Sequence, residues 1–282
     1  MAVILGGGSA SQINEVVTLN NGADTVTLAD SRVYLKGGVF ETDLGVYPNA
    51  FSGYKYLGTS FSVGATSYSS AITWDGTHLW VLGYNVDKVY KYTAAGVYTG
   101  TNWSVASQEI YPMGITWDGT YFWVIGTGND TAYKYNSAGT YQGVSFSAAS
   151  QDSAPQGITW DGTYFWVIGS TTDAVYKYNS SGVYQSVSFS VASQTTLPQD
   201  ITWDGTYFWV LGGGSVYKYN SSGVYQNVDF SVASQDDGTG IIWDGTSLRV
   251  VGSVTDYVYS YNVANGVGSV ANLGAQNYVR VS

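Results

Sequence analysis

The apolar positions of this chain fall into short runs, each closed by turn residues, and the runs recur. Gly157-Ile158-Thr159-Trp160 is followed by Asp161-Gly162-Thr163, and then by Tyr164-Phe165-Trp166-Val167-Ile168. Runs of four or five aromatic and β-branched residues between Gly, Asn and Asp clusters read as strands. Ala174–Tyr178 is a third run, Asn179-Ser180-Ser181-Gly182 a second turn, and Val183 to about Val191 a fourth run. The same unit returns around Trp74, Trp117, Trp203 and Trp243, at intervals of 43, 43, 43 and 40 residues. Four short strands per unit of this length predict an all-β, five-bladed β-propeller with four-stranded blades.

Ring closure is also readable. Residues 54–63 resemble a fourth strand, with Ser60-Phe61-Ser62-Val63 matching Ser188-Phe189-Ser190-Val191, whereas residues 266–276 match one only weakly. The expected arrangement completes the blade that begins near residue 241 with the strand at 54–63, which leaves no open edge between the first and last blades. Residues 1–50 lack the repeat. Their alternating runs at 12–19, 25–28 and 32–36 predict a small β-rich module, too short at about 45 residues to bury a core alone. The domain reading is therefore 1–50 for this module and 51–282 for the propeller.

Comparing the five units separates fixed from variable positions. The Trp-Asp-Gly-Thr turn is kept in all five. Gly suits a positive φ, and the Asp carboxylate can accept N–H groups of its own turn, so this motif reads as scaffold. Trp80, Trp123, Trp166 and Trp209 in the second strand read as core between blades. The two loops that vary, between the second and third strands and between the fourth strand and the next first strand, lie on one rim. Recognition concentrates in loops on a rigid scaffold. The first loop set supplies Asn85, Asp87, Asn129, Asp130, Thr172, Asp173 and Asp256 as candidate ligand-binding residues. The second supplies Glu109, Tyr111, Asp152, Gln156, Gln199, Asp236 and Asp237. A polar, acidic rim suits a hydroxyl-rich or cationic ligand.

Other chemistry finds little support. The formal charge of −10 opposes binding of nucleic acid, and the absence of cysteine removes disulfides and thiolate metal sites. His78 is the single histidine. No nucleophile–histidine–acid set, phosphate loop or zinc motif is present, so the chain is expected not to be an enzyme and to need no cofactor or metal. Carboxylate pairs on the variable rim keep a propeller glycosidase or lyase as an alternative. The N-terminus has no basic segment ahead of a long apolar run, and no run reaches membrane-spanning length, so neither a secretion signal nor membrane insertion is expected.

Residues 11–43, with Gln12-Ile13-Asn14-Glu15-Val16-Val17-Thr18-Leu19, Thr25-Val26-Thr27-Leu28-Ala29-Asp30 and Val33-Tyr34-Leu35-Lys36-Gly37-Gly38, resemble the N-terminal segment of tailed-bacteriophage fibre and receptor-binding proteins. The repeats are similar to propeller repeats of phage tail and bacterial surface proteins. They depart from WD40 repeats, since Trp-Asp ends the first strand here and the Gly-His element is missing. The resemblance implies a virion tail protein, made in the bacterial cytoplasm. Its residues 1–50 would dock on other tail proteins and trimerise, and its propeller would bind a host-surface glycan or protein. A purely structural virion component is a further alternative.

Overall fold

Each repeat folds as one antiparallel sheet of four short strands; its second strand is buried on both faces against its neighbours, while its outer strand is largely exposed. The computed structural model describes residues 54–64, 66, 68–233 and 238–263, together with the backbone of four strands between residues 15 and 42. Those four strands form two hairpins, Glu15–Thr18 with Thr25–Leu28 and Val33–Lys36 with Val39–Thr42. Residues 54–263 form a compact unit of their own.

Among the described residues this unit contains five four-stranded sheets. Blade I runs Ser69–Trp74, His78–Gly83, Lys88–Thr93, Tyr98–Ser104. Blade II runs Pro112–Trp117, Phe122–Gly126, Thr131–Tyr135, Tyr141–Ser147. Blade III runs Pro155–Trp160, Phe165–Gly169, Ala174–Tyr178, Tyr184–Ser190. Blade IV runs Pro198–Trp203, Tyr207–Gly212, Ser215–Asn220, Tyr225–Ser231. Blade V takes Gly238–Trp243, Leu248–Gly252 and Tyr257–Val263 from the C-terminal side, and Tyr54–Ser62 from the N-terminal side. The protein is therefore a five-bladed β-propeller. Its ring is closed as the match of Phe61 to Phe189 foretold, with Val258 opposite Phe61 as Val175 is opposite Phe189.

The core is divided among the blade interfaces. Five buried clusters each draw on two adjacent blades. Trp80, Trp123 and Trp166 lean on Phe122, Phe165 and Phe208 of the following blade, with ring centroids 4.7, 4.8 and 4.8 Å apart. Such aromatic pairs add to the burial of area. The Asp of each fixed turn ties this core to the backbone. Asp161 accepts the N–H groups of Thr163 and Tyr164 through Oδ1 at 2.8 and 2.7 Å, and the indole N–H of Trp166 through Oδ2 at 2.7 Å. Asp75, Asp118 and Asp204 do the same for Trp80, Trp123 and Trp209. Blade V keeps the bond with a different side chain: Arg249 Nε donates to Asp244 Oδ2 at 2.6 Å. Where blades II to IV lay a lysine amine over the aromatic pair, as Lys177 does 3.6 Å above the Tyr164 ring, blade V has Ser260, which accepts from Arg249. A second cation there would repel the arginine.

Strand limits differ from the sequence reading in one instructive place. The first strand of blade III begins at Pro155, two residues earlier than expected, and its pairing jumps from Pro155 opposite Gly169 to Gly157 opposite Ile168. Gln156 is the extra residue of a β-bulge, and a bulge breaks the alternation by which a strand is recognised. The same jump occurs in the other four blades.

Candidate functional site

Among the described acids of the variable rim, Glu109, Asp152 and Asp256 spend their carboxylates on main-chain N–H groups. Asp87, Asp130, Asp173 and Asp256 sit just before the third strand with φ of 47, 52, 50 and 52°, a left-handed conformation that Asp tolerates better than most residues. Their main-chain carbonyls accept the N–H of Val105, Ala148, Val191 and Val63. Gly214 takes this place in blade IV and serves Val232. The Oδ1 atoms of Asp87, Asp130 and Asp173 are buried without a hydrogen-bond partner. Burial raises Asp87 above the usual carboxylate range, and burial followed by the nearby Asp152 charge raises Asp130.

Glu109 and Asp152 are buried. Glu109 Oε1 accepts the N–H of Tyr111 at 2.9 Å and of Gly128 at 3.0 Å. Asp152 accepts the N–H of Ala154 at 2.8 Å and both the N–H and hydroxyl of Thr172 at 2.9 and 2.6 Å. The Asn129 amide donates to the carbonyl of Gln108. These side chains stitch one variable loop to the other in blades II and III. Asp236 and Asp237 lie outside the described residues. Among the described residues, no cluster of three or more His, Asp or Glu is placed to hold a metal.

The residues left open to a ligand lie nearer the axis. The bulge in each inner strand re-aims one side chain per blade: Ser70, Met113, Gln156, Gln199 and Thr239. This is a varied set standing between more uniform neighbours. Ser70 and Thr239 are engaged with main-chain carbonyls. Met113, Gln156 and Gln199 are half-buried. The next ring down is formed by Ala71, Gly114, Gly157, Asp200 and Gly240. A Cβ on Gly114 would stand 2.9 Å from the Cα of Gly157, and one on Gly240 2.6 Å from the Cα of Ala71. Neighbouring inner strands are therefore tightly packed at this level, which forms the floor of the rim.

Asp200 is the one acid in that floor. It is 2% exposed, and its carboxylate accepts the N–H of Ile201 and, across the blade boundary, of Ile241, each at 2.8 Å. Burial pushes its pKa well up, and the two N–H bonds hold it back only in part. A carboxyl whose folded pKa is raised holds its proton after the unfolded chain has released its own. Its contribution to stability is therefore lost as pH climbs from the unfolded value near 3.8 through the folded one. The stability of Asp200→Asn relative to wild type should rise over that window and then level off. Urea titrations at a series of pH values check this, and a pH-independent difference would refute it.

Over this floor, across blades I to III, opens a depression of 470 Å³ lined by Tyr68, Tyr84, Asn85, Met113, Thr127 and Gln156. Its wall is a run of tyrosines. Tyr68 and Tyr84 have centroids 5.7 Å apart, and Tyr84 stacks on Tyr111 at 6.0 Å with 28° between planes. Gln156 spends its amide nitrogen on Ala154 O and Ser170 Oγ. No charged side chain lines the depression. Of the residues singled out from sequence, Asn85 and Gln156 line it and Tyr111 backs it. Tyr68, Tyr84, Met113 and Thr127 were missed. Tyr68 and Tyr111 both immediately precede an inner strand, where blades III and IV have Ala154 and Leu197; that local departure from the repeat was the available signal.

Fold and site together define a five-bladed propeller with an asymmetric polar–aromatic depression on its variable rim. No protein-family model and no curated protein matches the chain. Among solved structures it is similar to the glutaminyl cyclase of Myxococcus xanthus, with a TM-score of 0.60, 9% identity and coverage of 75% of this chain and 97% of that one. It is also similar to a luciferin-regenerating enzyme, with a TM-score of 0.50, 13% identity and coverage of 75% and 97%. A streptogramin B lyase aligns at a TM-score of 0.45 and 18% identity over 70% of this chain, which spans 65% of that lyase's length. None of these is a phage tail protein. The expectation that the chain is not an enzyme, drawn from the lack of a recognisable catalytic set, is corrected by the likenesses to the glutaminyl cyclase and the luciferin-regenerating enzyme. They are with proteins named as enzymes, so a propeller of this kind is no argument against catalysis. At these identities the likeness is one of fold, and it brings no substrate with it.

Proposed function

We propose that the depression across blades I to III is the ligand site of this propeller, and that it takes a neutral, hydroxyl-bearing ring such as a sugar of a surface glycan. The observation that carries this reading is the tyrosine run of Tyr68, Tyr84 and Tyr111 beside the Asn85 and Gln156 amides in an uncharged depression. The Tyr rings touch one another, so they form a platform rather than a cage around a cation. A platform suits a flat face of C–H groups, which the negative face of an aromatic ring attracts, and the pocket amides suit hydroxyls at its edge. The acidic net charge opposes an anionic ligand.

Removing the middle ring of the run tests this. Tyr84→Ala should weaken binding of glucose, galactose or N-acetylglucosamine, whichever binds the wild type best, about tenfold, equivalent to about 1.4 kcal/mol. Saturation-transfer NMR and calorimetry read it. The reading fails when none of the three sugars binds, or when binding survives the substitution intact.

A second reading makes the same depression a substrate site of a glycosidase or lyase, and the enzymes among the similar propellers favour it. Release of fragments from a bacterial envelope polysaccharide, measured by mass spectrometry and diminished by Tyr84→Ala, would support it. A setting on a phage tail, with residues 1–50 trimerising on other tail proteins and the propeller meeting the host, is supported by the resemblance of residues 11–43 alone.

A further inference from the structure

The link that closes the ring carries one of the site tyrosines, and it is held differently from the links into blades II to IV. In the links into blades II to IV seven positions separate the last outer-strand anchor from the next inner strand, as from Val105 to Pro112. From Val63 to Ser69 there are six, as there are from Val232 to Gly238 into blade V. In the longer links a side chain two positions ahead holds the N–H of the residue before the strand. Glu109 holds Tyr111, Asp152 holds Ala154, and Thr195 holds Leu197. The ring-closing link does not work this way. Thr66 is spent on Val63 O and Ser69 Oγ. Tyr68, the counterpart of Tyr111, is drawn into the left-handed region at φ 63°, whereas Tyr111, Ala154 and Leu197 are not. A bulky residue there needs support from its surroundings.

That support comes from the far end of the chain. Asp256, in the variable loop of blade V, accepts the N–H of Tyr68 at 3.4 Å and both the N–H and hydroxyl of Ser69 at 3.0 Å. The carbonyl of Tyr68 in turn accepts the N–H of Tyr84 at 2.9 Å. The equivalent acids Asp87, Asp130 and Asp173 leave Oδ1 without a partner; Asp256 is the member of this set whose carboxylate reaches into the next blade. We infer that Asp256 is a positioning residue for the binding depression: it holds Tyr68 against Tyr84, so that closure of the ring by blade V completes the aromatic wall. The inference rests on the site proposed above.

Two substitutions separate the roles of Asp256. Asp256→Gly keeps the left-handed backbone, as Gly214 does in blade IV, but removes the acceptor. Asp256→Asn keeps both a tolerated backbone and an acceptor oxygen. In the full chain labelled with 3-fluorotyrosine, the Tyr68 signal is identified by its loss in Tyr68→Phe. It should move toward the free-tyrosine position in Asp256→Gly, return in Asp256→Asn, and stay fixed in Asp173→Gly. An unmoved Tyr68 signal in Asp256→Gly, or no rescue by Asn, overturns the inference. The measurement uses no ligand, so it is separate from titration of the wild type with N-acetylglucosamine. If Tyr68 responds as expected while no tyrosine signal shifts with the sugar, the positioning role stands and the sugar reading falls.

Discussion

Asp161→Ala should cost the protein about 3–5 kcal/mol of stability. Three donors lose their acceptor at once: the N–H groups of Thr163 and Tyr164 in the turn, and the indole N–H of Trp166. The turn amides can turn to water. The Trp166 ring is 4% exposed and packed on Phe208 of blade IV, so its N–H is left without a partner in a dry interface. A hydrogen bond to a charged acceptor is worth about 1.5–3 kcal/mol, and a stranded buried donor costs about 1–3 kcal/mol. Chemical denaturation monitored by Trp fluorescence measures the loss. Asp173→Gly is the matching control. It removes the same charge from the same blade, but at a left-handed position and with an Oδ1 that bonds nothing, so its stability should stay within about 1 kcal/mol of wild type. Equal losses for the two would mean that net charge, rather than the bonding of the turn, sets the stability.

Gly182→Ala should cost about 2–4 kcal/mol, and Gly162→Ala only about 1–2 kcal/mol. Both glycines have positive φ, 77 and 96°. They differ in what a methyl group would meet. At Gly162 there is nothing within 4 Å. At Gly182 a Cβ would fall 2.1 Å from Cβ of Phe146, a buried residue of the outer strand of blade II. Phe146 itself packs on Phe165 and Tyr178 of blade III, at 5.6 and 5.2 Å between centroids, and has little room to retreat. The difference in melting temperature between the two variants isolates packing between blades from backbone strain. Equal melting temperatures would contradict the close approach of these hairpins to their neighbours.

Much of this molecule is legible because a repeat states each local rule several times. The Trp-Asp-Gly-Thr motif announces a turn, and the structure adds why its Asp accompanies the second-strand Trp: the carboxylate serves both. The exchange of Trp and Lys for Arg249 and Ser260 in blade V is the same rule with another donor. Phe61 disclosed the closing strand because its neighbours copy those of Phe189. The alternation of Asp with Gly214 before the third strand likewise marks a left-handed residue, a signal that the emphasis on charge passed over.

The candidate site was read less well, for a definite reason. Glu109, Asp152 and Asp173 stand in variable loops, and a carboxylate in a loop looks the same in sequence whether it meets a ligand or the backbone. Glu109 and Asp152 are occupied by main-chain N–H groups, while Tyr68, Tyr84 and Met113 face the depression. The inner-strand bulge that presents Met113 and Gln156 left no periodic trace, because an extra residue erases the alternation that would reveal it.

By itself the sequence determined the repeat, the number of blades, the turn chemistry and the strand that closes the ring, since each follows from local propensity and from copies compared with one another. Tertiary structure alone decided which rim residues are free. That depends on how the two variable loops of each blade meet, and, at the seam, on Asp256 reaching Tyr68 across 188 positions of chain. Contacts of that kind arise from closure of the ring, and no single stretch of sequence encodes them.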